Sequence, residues 1–208
     1  MVETIHLAHM PPELALHVAM YTDVENASFL KDQLLAGNAE FEYAFIDASM
    51  ILSTKHVLAA AFRAMNDHLN ERLKSRNIHS EIVFCLSPNN NIGEAFRRFG
   101  VSESTRNLLV LKVATATTPD ITLESVSKHL STHIQGKECA FDDANFRKIS
   151  DVERIRKVYK ANLPTSRSSS KGGKPVVNGN GTSGGREFDA IWSLERQILG
   201  LMALRGAT

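Results

Sequence analysis

At 208 residues the chain can bury a sizeable core, and its 43% apolar content excludes a largely disordered protein. With 24 Lys and Arg against 23 Asp and Glu, the net charge of +1 excludes a generally basic nucleic-acid binder, so RNA contact would need a local patch. Cys85 and Cys139 form no C-x-x-C, and neither a basic leader with an apolar core nor a run of ~18 apolar residues is present, so no disulfide framework and no membrane partner are expected.

The first element, "LALHVAMYTDV" (14–24), alternates Leu14, Leu16, Val18 and Met20 with polar positions and reads as a strand. Asn26 then caps a short helix, "ASFLKDQLLAG", that stops at Gly37. "FEYAFIDASMIL" is a second extended segment. Ser53 starts a long helix, "TKHVLAAAFRAMNDHLNERLKSRN", whose Leu58, Phe62, Met65, Leu69 and Leu73 define a core face. "SEIVFCLS" and "RNLLVLKVA" read as two further strands, the first nearly all apolar and buried on both faces. Cys85 lies in that apolar run as a small buried hydrophobe.

Between these two strands stands "SPNNNIGEAFRRFG". Pro88 ends the strand, and Asn89 and Asn90 suit a turn. Asn91 and Glu94 have the spacing of a helix cap, and Gly100 suits a left-handed stop. Ser87, Pro88, Asn89, Asn90, Asn91 and Glu94 therefore form a structural turn, the competing reading being a helix N-terminus that holds an anion.

"DITLESVSKHLSTHIQG" places Leu123, Val126, Leu130 and Ile134 on one stripe and ends at Gly136. His129 and His133, four apart, have the spacing of a metal pair with Cys139 and Asp142 downstream, but a lone pair beside an apolar stripe is weak support for a metal, and none is expected. "SDVERIRKVYKANL" opens with Ser150 and Glu153 at capping-box spacing and buries Val152, Ile155, Val158 or Tyr159, and Leu163. Residues 164–186 then hold six of the twelve glycines with almost no apolar content and read as a flexible linker. "EFDAIWSLERQILGLMALR" resumes as a helix whose Phe188, Ile191, Trp192, Leu194, Ile198, Leu199, Leu201 and Met202 cover about half its circumference. One side of that arc can pack on the domain and the other on a partner. Glu195 falls within the arc, where a basic partner group would explain it. The 54–75 helix, with His56, Arg63 and His68 outward, is the alternative docking face.

Chemistry finds little footing. No G-x-S-x-G, Walker loop or strand-linked G-x-G-x-x-G occurs, and "GKP" at 173–175 lies in the linker. No cofactor is expected. Residues 147–160 carry six basic against two acidic side chains, and the linker adds Arg167, Lys171, Lys174 and Arg186. With Arg97 and Arg98, the residues Arg154, Lys157 and Lys160 are the RNA-contact set.

"SEIVFCLSPNNNIGEAFRRFGV" resembles the signature stretch of the TPRKB family, the small KEOPS (EKC) subunit that binds the complex's atypical Bud-type kinase. "YTDVENASFLKDQLLAG", "SDVERIRKVYK" and "DAIW" follow in family order, pointing to a fungal member with a longer linker. The expected fold is α/β: a two-layer sandwich with a mixed, about four-stranded sheet, helices mainly on one face, and a C-terminal helix (187–208) tethered to a domain of residues 1–163. The resemblance implies a non-catalytic subunit that activates the kinase and, indirectly, serves the sugar-kinase-like ATPase. It also implies binding of transfer RNA through its 3′ end for threonylcarbamoyladenosine modification, a telomere role, and nuclear and cytoplasmic pools. Ile191, Trp192, Leu194, Glu195, Ile198, Leu199 and Met202 are the expected kinase contacts. The rival readings are a stand-alone RNA-binding module and a small metal-dependent hydrolase on His129 and His133.

Overall fold

The computed structural model describes residues 1–161 and 183–205, with side chains in the last helix from Asp189 onward. Most of the expected linker, Leu163 and residues 206–208 lie outside the described residues, as do the side chains of Arg186 and Phe188.

Five strands form one sheet: β1 (Glu3–Ile5), β2 (Ala15–Thr22), β3 (Ala44–Asp47), β4 (Leu108–Ala114) and β5 (Lys137–Cys139). The order is β1-β2-β4-β3, with β5 joining the same edge of β2 further along. Every one of these pairings is antiparallel, so the sheet is not mixed as expected. The alternation in 14–24 has the predicted sense, since Leu16, Val18 and Met20 face one core. Ala19 and Tyr21, however, face a second core, so β2 is buried on both sides rather than half-solvated. In β4, Leu109, Leu111 and Val113 join the first core, while Leu108 and Val110 join the second.

Helices cover both faces. Helices α1 (Ala27–Leu35) and α5 (Leu123–His133) close the second core through Ala27, Leu30, Val126 and Leu130. The larger first core lies under α2 (Thr54–Leu69), α3 (Ile78–Cys85), α4 (Ile92–Phe99), α6 (Asp143–Ile149), α7 (Val152–Tyr159) and α8 (Ser183–Leu204). Helices thus gather mainly on one face, with two more behind the sheet. None among the described residues is long and apolar enough to cross a membrane.

One expected strand is a helix. Residues 78–85 form α3 because Asn77 turns the chain in, its Oδ1 accepting from Ser80 N at 2.8 Å. The helix is buried nearly all round, so its apolar run lacks the one-sided period that marks a surface helix. The core face of α2 is also rotated from expectation. Val57, Ala60, Ala61, Ala64 and Met65 are buried, while Phe62 and Leu69 stay 39% and 46% exposed. Alanines permit close approach to neighbouring elements, and the larger side chains move to the rim. The helix stops at Leu69, where Asn70 and Glu71 turn away, Glu71 at φ 54°.

Two expected caps shift. Asn26 precedes α1 but spends its side chain on His133 O (2.7 Å) and Gln135 N (3.0 Å), tying α1 to the end of α5. In α7 the cap is Asp151, accepting from Arg154 N at 3.0 Å, while Ser150 Oγ donates to the Ile51 and Phe146 carbonyls. Gly100 is extended rather than left-handed. Its need for glycine is steric, since a Cβ would stand 2.6 Å from the Phe96 carbonyl oxygen.

Candidate functional site: a two-helix face and a basic-rimmed cavity

Helix α8 docks by three side chains expected to meet a partner. Leu194, Ile198 and Met202 are 1%, 0% and 4% exposed and belong to the first core. Their four-residue spacing aligns them on one line of the helix, and that line faces inward. The end of α8 is fastened as well. Arg63 on α2 donates to the carbonyls of Met202 (2.5 Å) and Arg205 (2.9 Å). Arg63 is therefore a C-terminal clamp rather than an outward docking residue. His56 is fully buried: Nδ1 accepts from Leu52 N at 3.2 Å and Nε2 stands 2.8 Å from Tyr159 Oη, which donates to the Leu86 carbonyl. Burial holds this imidazole down to about 3.

What remains outward on α8 is narrower than the predicted arc. Trp192 is half exposed, Leu199 half-buried, and the two lie one heptad apart on the same side. Glu195 is half-buried at its margin, whereas Ile191 packs on the first core with the docked line. The basic group beside Glu195 comes from this chain, with Lys55 Nζ at 3.9 Å, and the same ammonium stands 5.3 Å from the centre of the Trp192 ring. Lys55, Phe62 and Leu69 recur at heptad steps along α2, so the side of α2 that touches Trp192 carries two exposed apolar side chains. The exposed sides of the two helices thus meet at Lys55 and Trp192, with Phe62 and Leu69 further along α2 and Leu199 further along α8.

The turn at 87–94 is structural. Asn91 Oδ1 accepts from Glu94 N at 2.9 Å, Asn89 Oδ1 accepts from Asn91 N at 3.0 Å, and Ser87 Oγ accepts from Asn89 N at 3.3 Å. Glu94 takes Asn89 Nδ2 at 2.8 Å and pairs with Arg98; these contacts, Asn89 first, hold its carboxyl below the usual range. A carboxylate thus already fills the first turn of α4, where an external anion would bind. Pro88 and Asn90 complete the turn at half-buried and exposed positions.

The expected RNA set divides. Arg154, Lys157 and Lys160 are exposed on α7, and Arg154 leans toward Asp47 at 3.7 Å. Arg98 reaches that helix, its Nη1 lying 3.4 Å from the Val158 carbonyl. Arg97 does not. It lines a cavity of about 500 Å3 between α1, β3, α3 and α4. Leu34, Tyr43, Phe45, Val83, Phe96 and Val101 supply apolar walls, and Lys31, Arg76 and Arg97 supply cations. Lys31 is engaged by Glu103 at 2.8 Å, whereas Arg76 and Arg97 are exposed and make no ion pair among the described residues. His79 forms part of the wall. Its Nε2 accepts from Val113 N at 3.0 Å, which leaves the proton on Nδ1, and that buried nitrogen has no partner among the described residues. Burial first, then Lys112 and His68, holds His79 down to about 3, so it is a neutral donor. Apolar walls and two free guanidiniums suit a flat ring carrying a phosphate. Sequence reading missed Arg76 and His79, because a lone arginine in a loop and a histidine in an apolar run carry no spacing signal.

His129 and His133 pack as an aromatic cluster, their rings 4.3 Å apart with Phe41 edge-on to both. His129 Nδ1 faces Tyr43 Oη at 3.1 Å, and His133 Nδ1 donates to the His129 carbonyl at 2.8 Å. Each Nδ1 is already spoken for, which argues against a shared metal through those atoms. Among the described residues, Asp67, Glu81 and Cys85 bring donor atoms within 4.8 Å of one another. Asp67, however, is paired with Arg63 and Arg72, and burial pushes the Cys85 thiol up to about 11 beside Arg205. That set reads as a buried charge cluster.

A family model described as "Kinase binding protein CGI-121" matches residues 21–206. The chain belongs to this family. It is 52% identical over 206 residues, 99% of this chain and 97% of the relative, to a protein of Aspergillus terreus named "EKC/KEOPS complex subunit cgi121". A protein of that name from Aspergillus fumigatus is 51% identical over the same shares of the two chains. One from Coccidioides immitis is 50% identical over all of this chain and 99% of the relative. The family match runs from the last two residues of β2 through the turn at 87–94 and α8, so the outward face and the cavity both lie within it.

Proposed function

We propose that this protein is a non-catalytic subunit of the EKC/KEOPS complex that binds and activates its atypical Bud-type kinase. The observation that carries this reading is the full-length similarity to subunits of that name, joined to an apolar two-helix face that α8 leaves outward after docking. Activation requires that the face bind one conformation of the kinase lobe better than another. Co-purification with the tagged full-length protein from cells tests it. An atypical kinase and a sugar-kinase-like ATPase should come down together, and a preparation free of both would refute it.

The same reading includes recruitment of transfer RNA, through its 3′ end, for threonylcarbamoyladenosine modification, with nuclear and cytoplasmic pools and a telomere role attached to the complex. The basic-rimmed cavity supports the RNA part, since an unpaired terminal base fits its apolar walls and Arg76 and Arg97 meet the phosphates. Two charge reversals separate this seat from the α7 patch. Arg76→Glu with Arg97→Glu should abolish transfer-RNA binding by the isolated protein. Arg154→Glu, Lys157→Glu and Lys160→Glu together should weaken it less and flatten its salt dependence. The reverse ranking would move the RNA to α7.

A further inference from the structure

We infer that Glu81 is a positioning residue for RNA binding, acting through Arg76; the inference rests on the reading that RNA enters the cavity. Glu81 lies in the first turn of α3 and is fully buried. Its Oε2 accepts three hydrogen bonds from the preceding loop: Lys74 N at 3.0 Å, Ser75 N at 2.7 Å and Ser75 Oγ at 2.6 Å. Arg76 is the next residue. On its other side Asn77 is fixed twice, capping α3 through Oδ1 and donating from Nδ2 to Glu42, which also lines the cavity. The backbone of Arg76 is therefore held at both ends while its side chain stands at the cavity mouth. There Gly37, left-handed at φ 68°, leaves room: a Cβ on it would lie 3.3 Å from Arg76 Nη1.

A carboxylate suits this task because a charged acceptor binds converging donors more strongly than a neutral one. The arrangement also carries a cost. Glu81 Oε1 is buried without a partner, which an apolar side chain at this position would avoid. The return is a rim arginine whose loop is ordered before the phosphate arrives, so less freedom is lost on binding.

Binding of an unmodified transfer-RNA transcript to the full-length protein, measured across a salt series, tests this. Arg76→Ala should weaken binding and lower the slope of log affinity against log salt by about 0.7, the increment for one phosphate on a single strand. Glu81→Gln should weaken binding and flatten the slope in the same way, with capture of the kinase unchanged. The double variant should bind no more weakly than Arg76→Ala alone. Should Glu81→Gln fail to fold, Ser75→Ala removes one of the three donors and should give a smaller loss that vanishes in the Arg76→Ala background. Folded Glu81→Gln or Ser75→Ala protein that keeps full affinity while Arg76→Ala loses it would overturn the positioning role. So would losses that multiply in the double variant. Full affinity in Arg76→Ala would overturn the cavity seat itself and the inference with it.

Discussion

Arg205 stacks its guanidinium 4.0 Å over the Phe84 ring and donates to the carbonyls at the end of α3, Phe84 and, at 3.4 Å, Ser87. The Phe84 carbonyl also accepts from Ser87 N at 3.1 Å, so Arg205 shares that acceptor and adds a partner for the Ser87 carbonyl just past the helix end. The end of the last helix thus completes the end of a helix more than a hundred residues earlier. With Leu194, Ile198 and Met202 in the core, α8 is an integral element of the fold.

This docking sets the first prediction. Ile198→Glu or Met202→Glu forces a carboxylate into the core, at a cost of several kcal/mol unless it finds a partner. Both variants should lose cooperative thermal unfolding. Arg205→Ala should lower stability in urea by about 1–3 kcal/mol, because the Ser87 carbonyl loses its donor while the Phe84 carbonyl keeps Ser87 N. Wild-type midpoints in the two glutamate variants would show that α8 is not docked in the free protein.

The turn at 87–94 gives a second. Asn91→Ala removes the cap of α4 and should cost about 0.5–2 kcal/mol in chemical denaturation. Transfer-RNA affinity should not change, because Glu94 already fills that helix start. An unchanged midpoint with lost RNA binding would return the anion-site reading.

Buried histidines supply a third. His56 and His79 are both held down to about 3 by burial, against ~6.5 in the unfolded chain. Below ~6.5 the unfolded state takes up protons that the folded state refuses. Their neutral burial is therefore fully tolerated above that pH and is penalised increasingly as pH falls toward 3. The slope approaches about 1.4 kcal/mol per pH unit for each histidine. Melting temperature should drop steeply between pH 6.5 and 4, and His79→Gln should make the decline shallower. A melting temperature flat over that range would mean that these imidazoles titrate normally in the fold.

Much of this architecture is readable from pattern. The alternation of Leu16, Val18 and Met20 and the Asn91 and Ser53 caps stand where spacing put them. The failures share one cause, burial on every side. Helix α3 reads as a strand because Ile78, Ile82, Val83, Phe84 and Cys85 are all buried, and the Asn77 cap is its one legible sign. The apolar arc of α8 overstated the free surface because three of its residues were needed inside. The strands β1 and β5 and the helix α6 are too short to show a period. Arg76 and His79 are near neighbours in sequence, but Arg97 and the apolar walls join them around one cavity only in three dimensions.

On the proposed reading, the outward side of α8, beside Lys55 and with the exposed Phe62 of α2, meets the kinase. The direct measurement is kinase pull-down by purified Trp192→Glu and Leu199→Glu proteins, with each variant's melting temperature recorded alongside. Trp192 is 50% exposed and Leu199 half-buried, so both should keep a near wild-type melt. A charge at the centre of an apolar contact should remove most kinase capture, as for other central anchors. Undiminished capture by both folded variants would place the kinase on another surface.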